Sequence, residues 1–309
     1  MSRSSVAYAR QLLERGASAT PTTGRLHVVH SMPERERVRS LFNYLGERGN
    51  GSDTVRYDRH MGSDTNHYQR MKAAVELFST RLLTRRLQLA NNIRIISLGG
   101  GTGEIESHVV RNIILPHLRR NEEVKMTLVL VDDAPNMIAT AQDKFDSLLM
   151  QANGLAKRLR FVLVTTSAEE LTHDKMADMN PELLAPFDIA ICSYVSAWFA
   201  DRELAYKNVR ELLLPRGRLF TMEEHELNFT PSTSMPEDSD FAKLIREVAQ
   251  IAHIPPKELY RLLEGIGFER GWSQRPVPID TKPEVGAKPH SLYAAVKPVD
   301  IRYVPDVIE

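Results

Sequence analysis

The feature that most constrains the fold is an apolar run that ends in three consecutive glycines, IRIISLGGGTGEIESHV at residues 93–109. From this point to about residue 222, short apolar segments alternate with amphipathic ones. Strand-like segments lie at 93–98, 125–131, 160–165, 187–192 and 217–222, and helical periodicity fills 103–119, 135–151, 168–178 and 201–214. Buried strands that alternate with helices predict a mostly parallel sheet covered on both faces. The sequence therefore predicts a doubly wound, Rossmann-like α/β fold.

The segments on either side of this alternation have a different character. Residues 1–66 are predicted to form a tail and a helical lid, and residues 67–309 the main domain, with an insertion at about 224–254. An amphipathic helix is predicted from about 67 to 90, just before the first strand. Further helices are predicted near 240–252 and from Pro256, and two strands near 268–279 and 291–297, the final one antiparallel to the sheet.

Composition limits the classes of partner and compartment. The 40 basic and 40 acidic residues of the 309-residue chain cancel, which argues against a nucleic-acid or membrane-surface partner. No apolar stretch approaches the roughly 20 residues that span a bilayer, and a single cysteine, Cys192, excludes an internal disulfide. We therefore expect a cytoplasmic protein. The Arg- and Ser-rich residues 1–25 resemble an organellar transit peptide, which makes organellar targeting the second expectation.

A glycine-rich turn between a strand and a helix lets the backbone approach a ligand, and glycine spacing separates the possible ligands. A GxxxxGK[ST] phosphate loop needs a lysine that does not follow Gly99, and a GxGxxG dinucleotide loop needs glycine where the chain has Glu104. A carboxylate at that position would also repel a pyrophosphate. The chain instead places glycines at 99, 101 and 103, which favours a ligand without phosphate. A purely structural glycine turn is the alternative.

This spacing is that of S-adenosylmethionine-dependent methyltransferases, and four later segments resemble that class in the same order. They are LVLVDDAPNMIATAQ, TTSAEEL, FDIAICSYVSAWF and LLLPRGRLF. The resemblance implies S-adenosyl-L-methionine as the cofactor and S-adenosyl-L-homocysteine as the product. It also implies a set of cofactor contacts: the loop residues Gly99, Gly101, Gly103 and Glu104, then Asp132 on the ribose, Met137, Ser167 near the adenine, Ser193, and Tyr68 from the lid.

Within that class, the run GGGTGEI most resembles histamine N-methyltransferase and related small-molecule methyltransferases. The resemblance extends over about residues 93–270 and implies a small-molecule acceptor, without identifying histamine as that acceptor. Many members of the class carry an acid two residues before the first glycine, facing the methionine ammonium, whereas this chain has Ser97. Two interpretations of Glu104 stay open. It supplies the missing charge, or it only lies favourably in the first turn of a helix.

Doubly wound sheets bind ligands at the carboxyl ends of their strands. Three segments can reach that edge: SYVSAWF after the fourth strand, EEHE after the fifth, and VRYDRHMGSDTNHYQRM before the first. The catalytic candidates in them are His225, Glu224 and Tyr57, and the substrate candidates are Tyr194, Trp198 and His60. Carboxylates that flank an imidazole favour its protonated form, which suits a base that collects a proton. Aromatic faces suit a flat or cationic acceptor. A solvated charged loop and a core role for the aromatic residues are the alternatives, and one histidine without partner spacing predicts no metal site.

Other function classes stay open beside the leading one, which is in-line methyl transfer to a nitrogen or oxygen of a small molecule. A protein substrate is compatible with the sequence. An RNA substrate is disfavoured by the balanced charge and by CSYV after the fourth strand, where base-methylating enzymes usually carry [DN]PP[YFW]. A scaffold that only binds the cofactor and a nicotinamide-dependent dehydrogenase are the remaining alternatives, and Glu104 disfavours the latter. No feature of the sequence fixes the oligomeric state.

Overall fold

The protein is described here by a computed structural model. It describes Arg86 and residues 90–152, 154–179, 181–193, 195–196, 199–224, 256–273 and 290–298. The predicted N-terminal lid, the predicted helices at 67–90 and 240–252, and almost all of the predicted insertion lie outside these residues.

The described strands form one seven-stranded sheet in the order β3-β2-β1-β4-β5-β7-β6. Their bounds are β1 Asn92–Leu98, β2 Lys125–Asp132, β3 Leu159–Thr165, β4 Phe187–Ser193, β5 Leu213–Glu224, β6 Glu269–Ser273 and β7 His290–Val296. Strands β1 to β5 are parallel, and β7 pairs antiparallel with both β5 and β6. The order reverses between β1 and β4, and such a switch point opens a crevice at the carboxyl ends of the strands.

Helices connect the parallel strands, and one further helix lies between β5 and β6. They are α1 Glu104–Val109, α2 Leu115–Arg120, α3 Pro135–Gln151, α4 His173–Met179, α5 Arg202–Leu212 and α6 Pro256–Gly265. A π-helical turn at Val110–Ile114 separates α1 from α2, and 3₁₀ turns lie at Leu155–Lys157, Ala168–Glu170 and Pro181–Leu184. The helix predicted at 103–119 is thus three consecutive pieces. The helix predicted at 135–151 has those bounds, because Pro135 suits the first helical position.

The core divides into two apolar layers, one on each face of the sheet. Successive side chains of a strand point to opposite faces. Ile93 and Ile95 accordingly belong to the layer that includes α1 to α3, whereas Ile96 and Leu98 belong to the layer that includes α5 and α6. This arrangement confirms the predicted doubly wound α/β fold with a mostly parallel sheet.

Strand β5 is longer than the predicted segment 217–222 because it contains an irregularity. Leu213 pairs with Phe187, and the next paired residues are Arg218 and Ile189, so β5 carries extra residues at this point. Arg216 takes a positive φ of 62° there. The Pro-Arg-Gly sequence that resembles a turn before the strand therefore lies inside β5 as a bulge.

Candidate functional site

The loop between β1 and α1 lies at the switch point and consists mainly of glycine. Gly99, Gly101 and Gly103 have φ values of 59°, 55° and 69°, a region that other residues adopt only with strain. A Cβ on Gly99 would lie 2.0 Å from Val195 Cγ2, and one on Gly103 would lie 3.1 Å from Phe145 Cζ. A Cβ on Gly101 would meet no atom of the described residues within 4 Å. Packing accounts for Gly99 and Gly103, whereas no described residue packs against Gly101 in this way.

Asp132, at the end of β2, ties this loop to the neighbouring strand. Its Oδ2 accepts a 2.8 Å hydrogen bond from the Gly101 N–H, and its Oδ1 accepts one of 3.0 Å from the Ala134 N–H. Burial raises the pKa of Asp132 to about 6, partly offset by these two hydrogen bonds. The carboxylate is mostly ionised at neutral pH. Because each carboxylate oxygen can accept more than one hydrogen bond, Asp132 retains capacity for a ligand hydroxyl.

Glu104, the first residue of α1, turns towards helix α3. Its Oε2 lies 2.9 Å from the Lys144 Nζ, and the same ammonium donates to the Thr102 hydroxyl over 3.2 Å. Less than a fifth of each side chain of this ion pair is exposed. The charge of Glu104 is therefore balanced within the protein.

Glu106 is a site residue that the sequence reasoning missed. The Ser97 hydroxyl donates a 2.5 Å hydrogen bond to its Oε1, and only 2% of Glu106 is exposed. Burial raises the pKa of this carboxyl from 4.5 to about 7. Among the described residues, its Oε2 is buried and has no hydrogen-bond partner. The sequence signal was present: an acid sits in the buried run after the glycine loop, in a chain that lacks the usual acid at position 97.

The other predicted cofactor contacts that are described lie around the same edge of the sheet. Met137 is buried in the first turn of α3. Ser167 follows β3, and its backbone oxygen accepts a 3.2 Å hydrogen bond from the Glu170 N–H. Ser193 ends β4, and its buried hydroxyl has no partner within the described part of the chain. The structure thus brings the ends of strands β1 to β4 together at one edge.

The segment after β4 borders the crevice, because β4 is one of the two strands at the switch point. A buried glutamate holds this wall. Glu169 Oε1 accepts hydrogen bonds from the Ala200 N–H at 2.7 Å and the Asp201 N–H at 3.2 Å. The Asn208 amide donates to the backbone oxygens of Ala168 and Glu169, at 3.1 and 2.8 Å. These bonds join the turn after β3 to the start of α5.

A second set of buried polar contacts supports this wall from below. The Arg202 Nε donates a 2.7 Å hydrogen bond to the Ser196 backbone oxygen. The Ser196 and Tyr206 hydroxyls form a short hydrogen bond, and Tyr206 lies edge-on to Phe199 with ring centroids 5.6 Å apart. The path of the chain after β4 is therefore fixed by contacts within the protein.

The predicted catalytic and substrate residues, and the predicted cofactor contact Tyr68, are not tested by the described residues. Tyr57, His60, Tyr68, Tyr194, Trp198 and His225 lie outside the described residues. Glu224 is the last residue of β5, where its backbone pairs with His290 of β7, and its side chain is outside the description. The roles predicted for these seven residues stay predictions.

Two further properties concern only the described residues. They contain no group of three or more His, Cys, Asp or Glu side chains arranged to hold a metal ion. None of their helices combines the length and the apolar character that crossing a bilayer requires.

Comparisons with known proteins agree with this geometry. The family profile described as a methyltransferase domain matches residues 65–270, about two thirds of the chain. No curated protein matches the sequence. Among solved structures, the CurJ carbon methyltransferase has a TM-score of 0.54 at 13% identity, over 95% of this chain and 71% of that one. The plantazolicin methyltransferase BamL, solved with S-adenosylhomocysteine, has a TM-score of 0.52 at 13% identity, over 85% and 97%.

Proposed function

The chain belongs to the methyltransferase domain family, and on that premise we propose that it methylates a nitrogen or an oxygen of a small molecule. It is a methyltransferase enzyme, and its cofactor is S-adenosyl-L-methionine. The observation that carries the proposal is the loop between β1 and α1. Its Gly101 has a left-handed φ, no described residue lies where its Cβ would be, and its N–H is held by the carboxylate at the end of β2.

The residues at this edge fit the chemistry of that cofactor. The cofactor carries a sugar with two hydroxyls, an adenine, and an amino-acid end with an ammonium, but no phosphate. Asp132 has spare acceptor capacity for hydroxyls. The buried Glu106 Oε2 and Ser193 Oγ are oxygens without partners among the described residues, as expected where a ligand donor group completes the site. A bare backbone at Gly101 leaves room for close approach.

Each of these residues has a distinct role in the proposal. Asp132 holds the two ribose hydroxyls. Ser167, after β3, contacts the adenine, and Met137 lies beneath it. The glycine loop and Ser193 border the amino-acid end. These assignments follow the order of the strands in the sheet, since Asp132 and Ser193 end β2 and β4, Ser167 follows β3, and Met137 lies in the first turn of the helix after β2.

For methyl transfer, the protein mainly has to align the acceptor with the methyl group. When bound, S-adenosyl-L-methionine supplies an electrophilic methyl group on a sulfonium that is already a good leaving group. The walls of the crevice then have to hold the acceptor in line and exclude water. The hydrogen bonds that Glu169 accepts from Ala200 and Asp201 hold the end of the segment after β4. The proposed substrate contacts Tyr194 and Trp198 belong to the same segment of the sequence.

An amine or hydroxyl acceptor loses a proton as it gains a methyl group, so a base is useful. We propose His225, next to Glu224 at the end of β5, for this role. Tyr57 and His60, from the proposed N-terminal lid, complete the acceptor site, and Tyr68 lies against the cofactor. The likeness of GGGTGEI to histamine N-methyltransferase supports an amine as the first acceptor class to test. Identities of 13% to the solved structures bear on the fold and not on the acceptor.

The test measures binding first and transfer second. Calorimetry with S-adenosylhomocysteine and with NAD should show binding of the former only. The enzyme should then move an isotope-labelled methyl group from S-adenosyl-L-methionine to members of a panel of amines and phenols, detected by mass spectrometry. A His225→Ala variant should lose turnover mainly at low pH, where fewer acceptor molecules have already lost their proton.

Each contrary outcome points to a different alternative. Binding of NAD in place of S-adenosylhomocysteine would identify a dehydrogenase and remove the proposal. Cofactor binding without transfer to any amine, phenol, carbon acid, peptide or RNA would identify a binding scaffold. Transfer to a carbon acid, a peptide or RNA alone would keep the enzyme class and overturn the proposed acceptor.

A further inference from the structure

The most buried acid of the glycine-loop region is Glu106, and the proposed function does not say which group of the cofactor it meets. We propose that Glu106, positioned by Ser97, is the carboxylate that receives the ammonium of the cofactor's methionine end. This inference rests on the proposed function, since it concerns the same cofactor. It replaces the interpretation in which Glu104 supplies the charge.

The first argument is position. Ser97 is the penultimate residue of β1, two residues before Gly99, where many methyltransferases of this class carry an acid. The Ser97 hydroxyl donates to Glu106 Oε1 over 2.5 Å. A carboxylate is therefore bonded directly to the side chain at position 97, although its backbone belongs to α1. The fold supplies from the helix the charge that the strand lacks.

The second argument is the set of oxygens without partners. Among the described residues, neither Glu106 Oε2 nor Ser193 Oγ makes a hydrogen bond. Ile191 pairs with Ser97 in the sheet, so Ser193, two residues further along β4, lies on the same face as Ser97 at the adjoining strand end. An ammonium has three N–H donors and no acceptor, so it can satisfy unpartnered acceptors of this kind. A buried acceptor without a donor is costly, so two of them on one face at neighbouring strand ends indicate a donor group from a ligand.

The third argument is that the neighbouring acids are engaged. Glu104 Oε2 pairs with Lys144 at 2.9 Å. Both oxygens of Asp132 accept backbone hydrogen bonds, from Gly101 and Ala134. Of these three acids, Glu106 is the one with a buried carboxylate oxygen that has no hydrogen-bond partner among the described residues.

The assignment has a consequence for pH dependence. Burial raises the pKa of Glu106 to about 7, with the Ser97 hydrogen bond and the charge of Lys144 on α3 lowering it and the charge of Asp132 on β2 raising it. An ammonium binds the ionised carboxylate. The affinity for the methionine end should therefore rise with pH, and a pKa near 7 gives an affinity about tenfold higher at pH 8 than at pH 6.

The experiment compares two probes by calorimetry between pH 6 and pH 8. S-adenosylhomocysteine carries the amino-acid end, and 5′-methylthioadenosine carries the same nucleoside without it. The titration of Asp132 affects both probes, because both carry the ribose. The ratio of their dissociation constants isolates the methionine end, and in the unmodified protein the preference for S-adenosylhomocysteine should fall about tenfold from pH 8 to pH 6.

Variants assign the effect to a residue. In Glu106→Gln the preference should be at least about tenfold lower at pH 8 and independent of pH, and Ser97→Ala should give a smaller loss in the same direction. Glu122→Gln, the same substitution at an exposed acid after α2, should leave the preference unchanged. Thermal unfolding of each variant checks that the variant folds. The pH dependence of the preference in the unmodified protein is a test that holds even if a variant does not fold.

The contrary results separate this inference from the proposed function. If both probes bind and the preference neither follows pH nor changes in Glu106→Gln, Glu106 has no part in binding and the inference is overturned alone. If Glu104→Gln lowers the preference instead, the ammonium is received by Glu104, which also overturns it. If neither probe binds, the cofactor assignment itself fails, and the inference with it.

Discussion

Two buried glutamates, one in the helix after the glycine loop and one in the turn after β3, make an instructive comparison. Glu106 is bonded to Ser97 of β1, and Glu169 is bonded to the segment that follows β4. Each is less than a tenth exposed. Glu169 Oε1 accepts two backbone hydrogen bonds, from Ala200 and Asp201, whereas Glu106 receives one from Ser97 and has a second oxygen with no partner among the described residues.

The difference separates two uses of the same side chain. The contacts of Glu169 are with backbone groups that would otherwise be unpaired, so they hold a wall of the crevice in one shape. The contacts of Glu106 leave part of its hydrogen-bonding capacity unused in a buried position. This destabilises the fold, and such a residue is retained where function needs it. We therefore regard the β4 side as the rigid wall and the glycine-loop side as the receiving surface.

The largest effect is expected for Asp132, the acid that joins the receiving surface to β2. In the proposed function, Asp132→Ala removes charge-assisted hydrogen bonds to both ribose hydroxyls. The loss should be about 3 kcal/mol, or roughly a hundredfold in the dissociation constant of S-adenosylhomocysteine. Calorimetry at pH 8, where Asp132 is ionised because its pKa is about 6, gives the measurement.

The probes and a neighbouring acid supply the controls for Asp132. The affinity of 5′-methylthioadenosine should fall by the same factor, because that probe also carries the ribose. Asp133→Asn removes the adjacent carboxylate and should leave both affinities within about twofold. An unchanged affinity in Asp132→Ala would place the cofactor elsewhere in the fold.

A smaller effect, on stability and not on binding, is expected at the rigid wall. Glu169→Ala leaves the Ala200 and Asp201 N–H groups without their acceptor, which should lower the free energy of unfolding by about 2–3 kcal/mol. Chemical denaturation measures this change. Glu169→Gln keeps an oxygen acceptor and is the matched control, with a cost below about 1 kcal/mol. Equal costs in the two variants would mean that the hydrogen bonds to Oε1 do not hold the wall.

Glu106→Gln should increase stability, whereas Glu169→Ala decreases it, and the increase should appear only at higher pH. The pKa of Glu106 in the folded protein is about 7, against an ordinary value of 4.5. The folded state therefore keeps a proton that the unfolded state loses, and the unmodified protein loses stability as pH rises between these values. An uncharged side chain avoids this loss, so the variant should be more stable by about 1–3 kcal/mol at pH 8 and nearly equal at about pH 4, below both pKa values.

The measurement is chemical denaturation of both proteins at several pH values. A difference for Glu106→Gln that does not change with pH would show that the buried carboxylate keeps its charge state throughout. That result would remove the physical basis for the contrast between the two glutamates.

Much of this fold follows from local sequence patterns. Alternating apolar and amphipathic segments are sufficient to predict the parallel sheet. Pro135 marks the start of α3, because the first helical position does not need the N–H that proline lacks. The glycine loop is predictable because three of its residues have a left-handed φ that glycine adopts without strain. The position of Asp132 follows from the end of an apolar strand.

The remaining features depend on contacts between residues far apart in the chain. The role of Glu106 needs α1 to place its carboxylate on Ser97, and that of Glu169 needs backbone groups 31 and 32 residues later. The bulge in β5 arises where Arg216, a residue with no preference for positive φ, adopts one. No local pattern marks these positions, because burial and pairing give the residues their roles.

The smallest effect is expected for Lys144, which acts on the receiving surface and not on the wall. Its ammonium pairs with Glu104 and lowers the pKa of Glu106. Lys144→Met should therefore cost less than about 1 kcal/mol of stability, as partly exposed ion pairs usually do. It should also raise the pKa of Glu106, and with it the midpoint of the pH dependence, because the carboxylate loses a nearby positive charge.

The matched control is Lys175→Met, which breaks the more exposed pair with Glu170 far from Glu106 in the fold. Both variants should lose little stability, but only Lys144→Met should move the midpoint at which the preference for S-adenosylhomocysteine over 5′-methylthioadenosine changes with pH. Calorimetry at closely spaced pH values between 6 and 8 measures that midpoint. If it stays in place in Lys144→Met, the titrating group is not the carboxylate beside this ammonium, and the pH dependence must arise from another acid of the crevice.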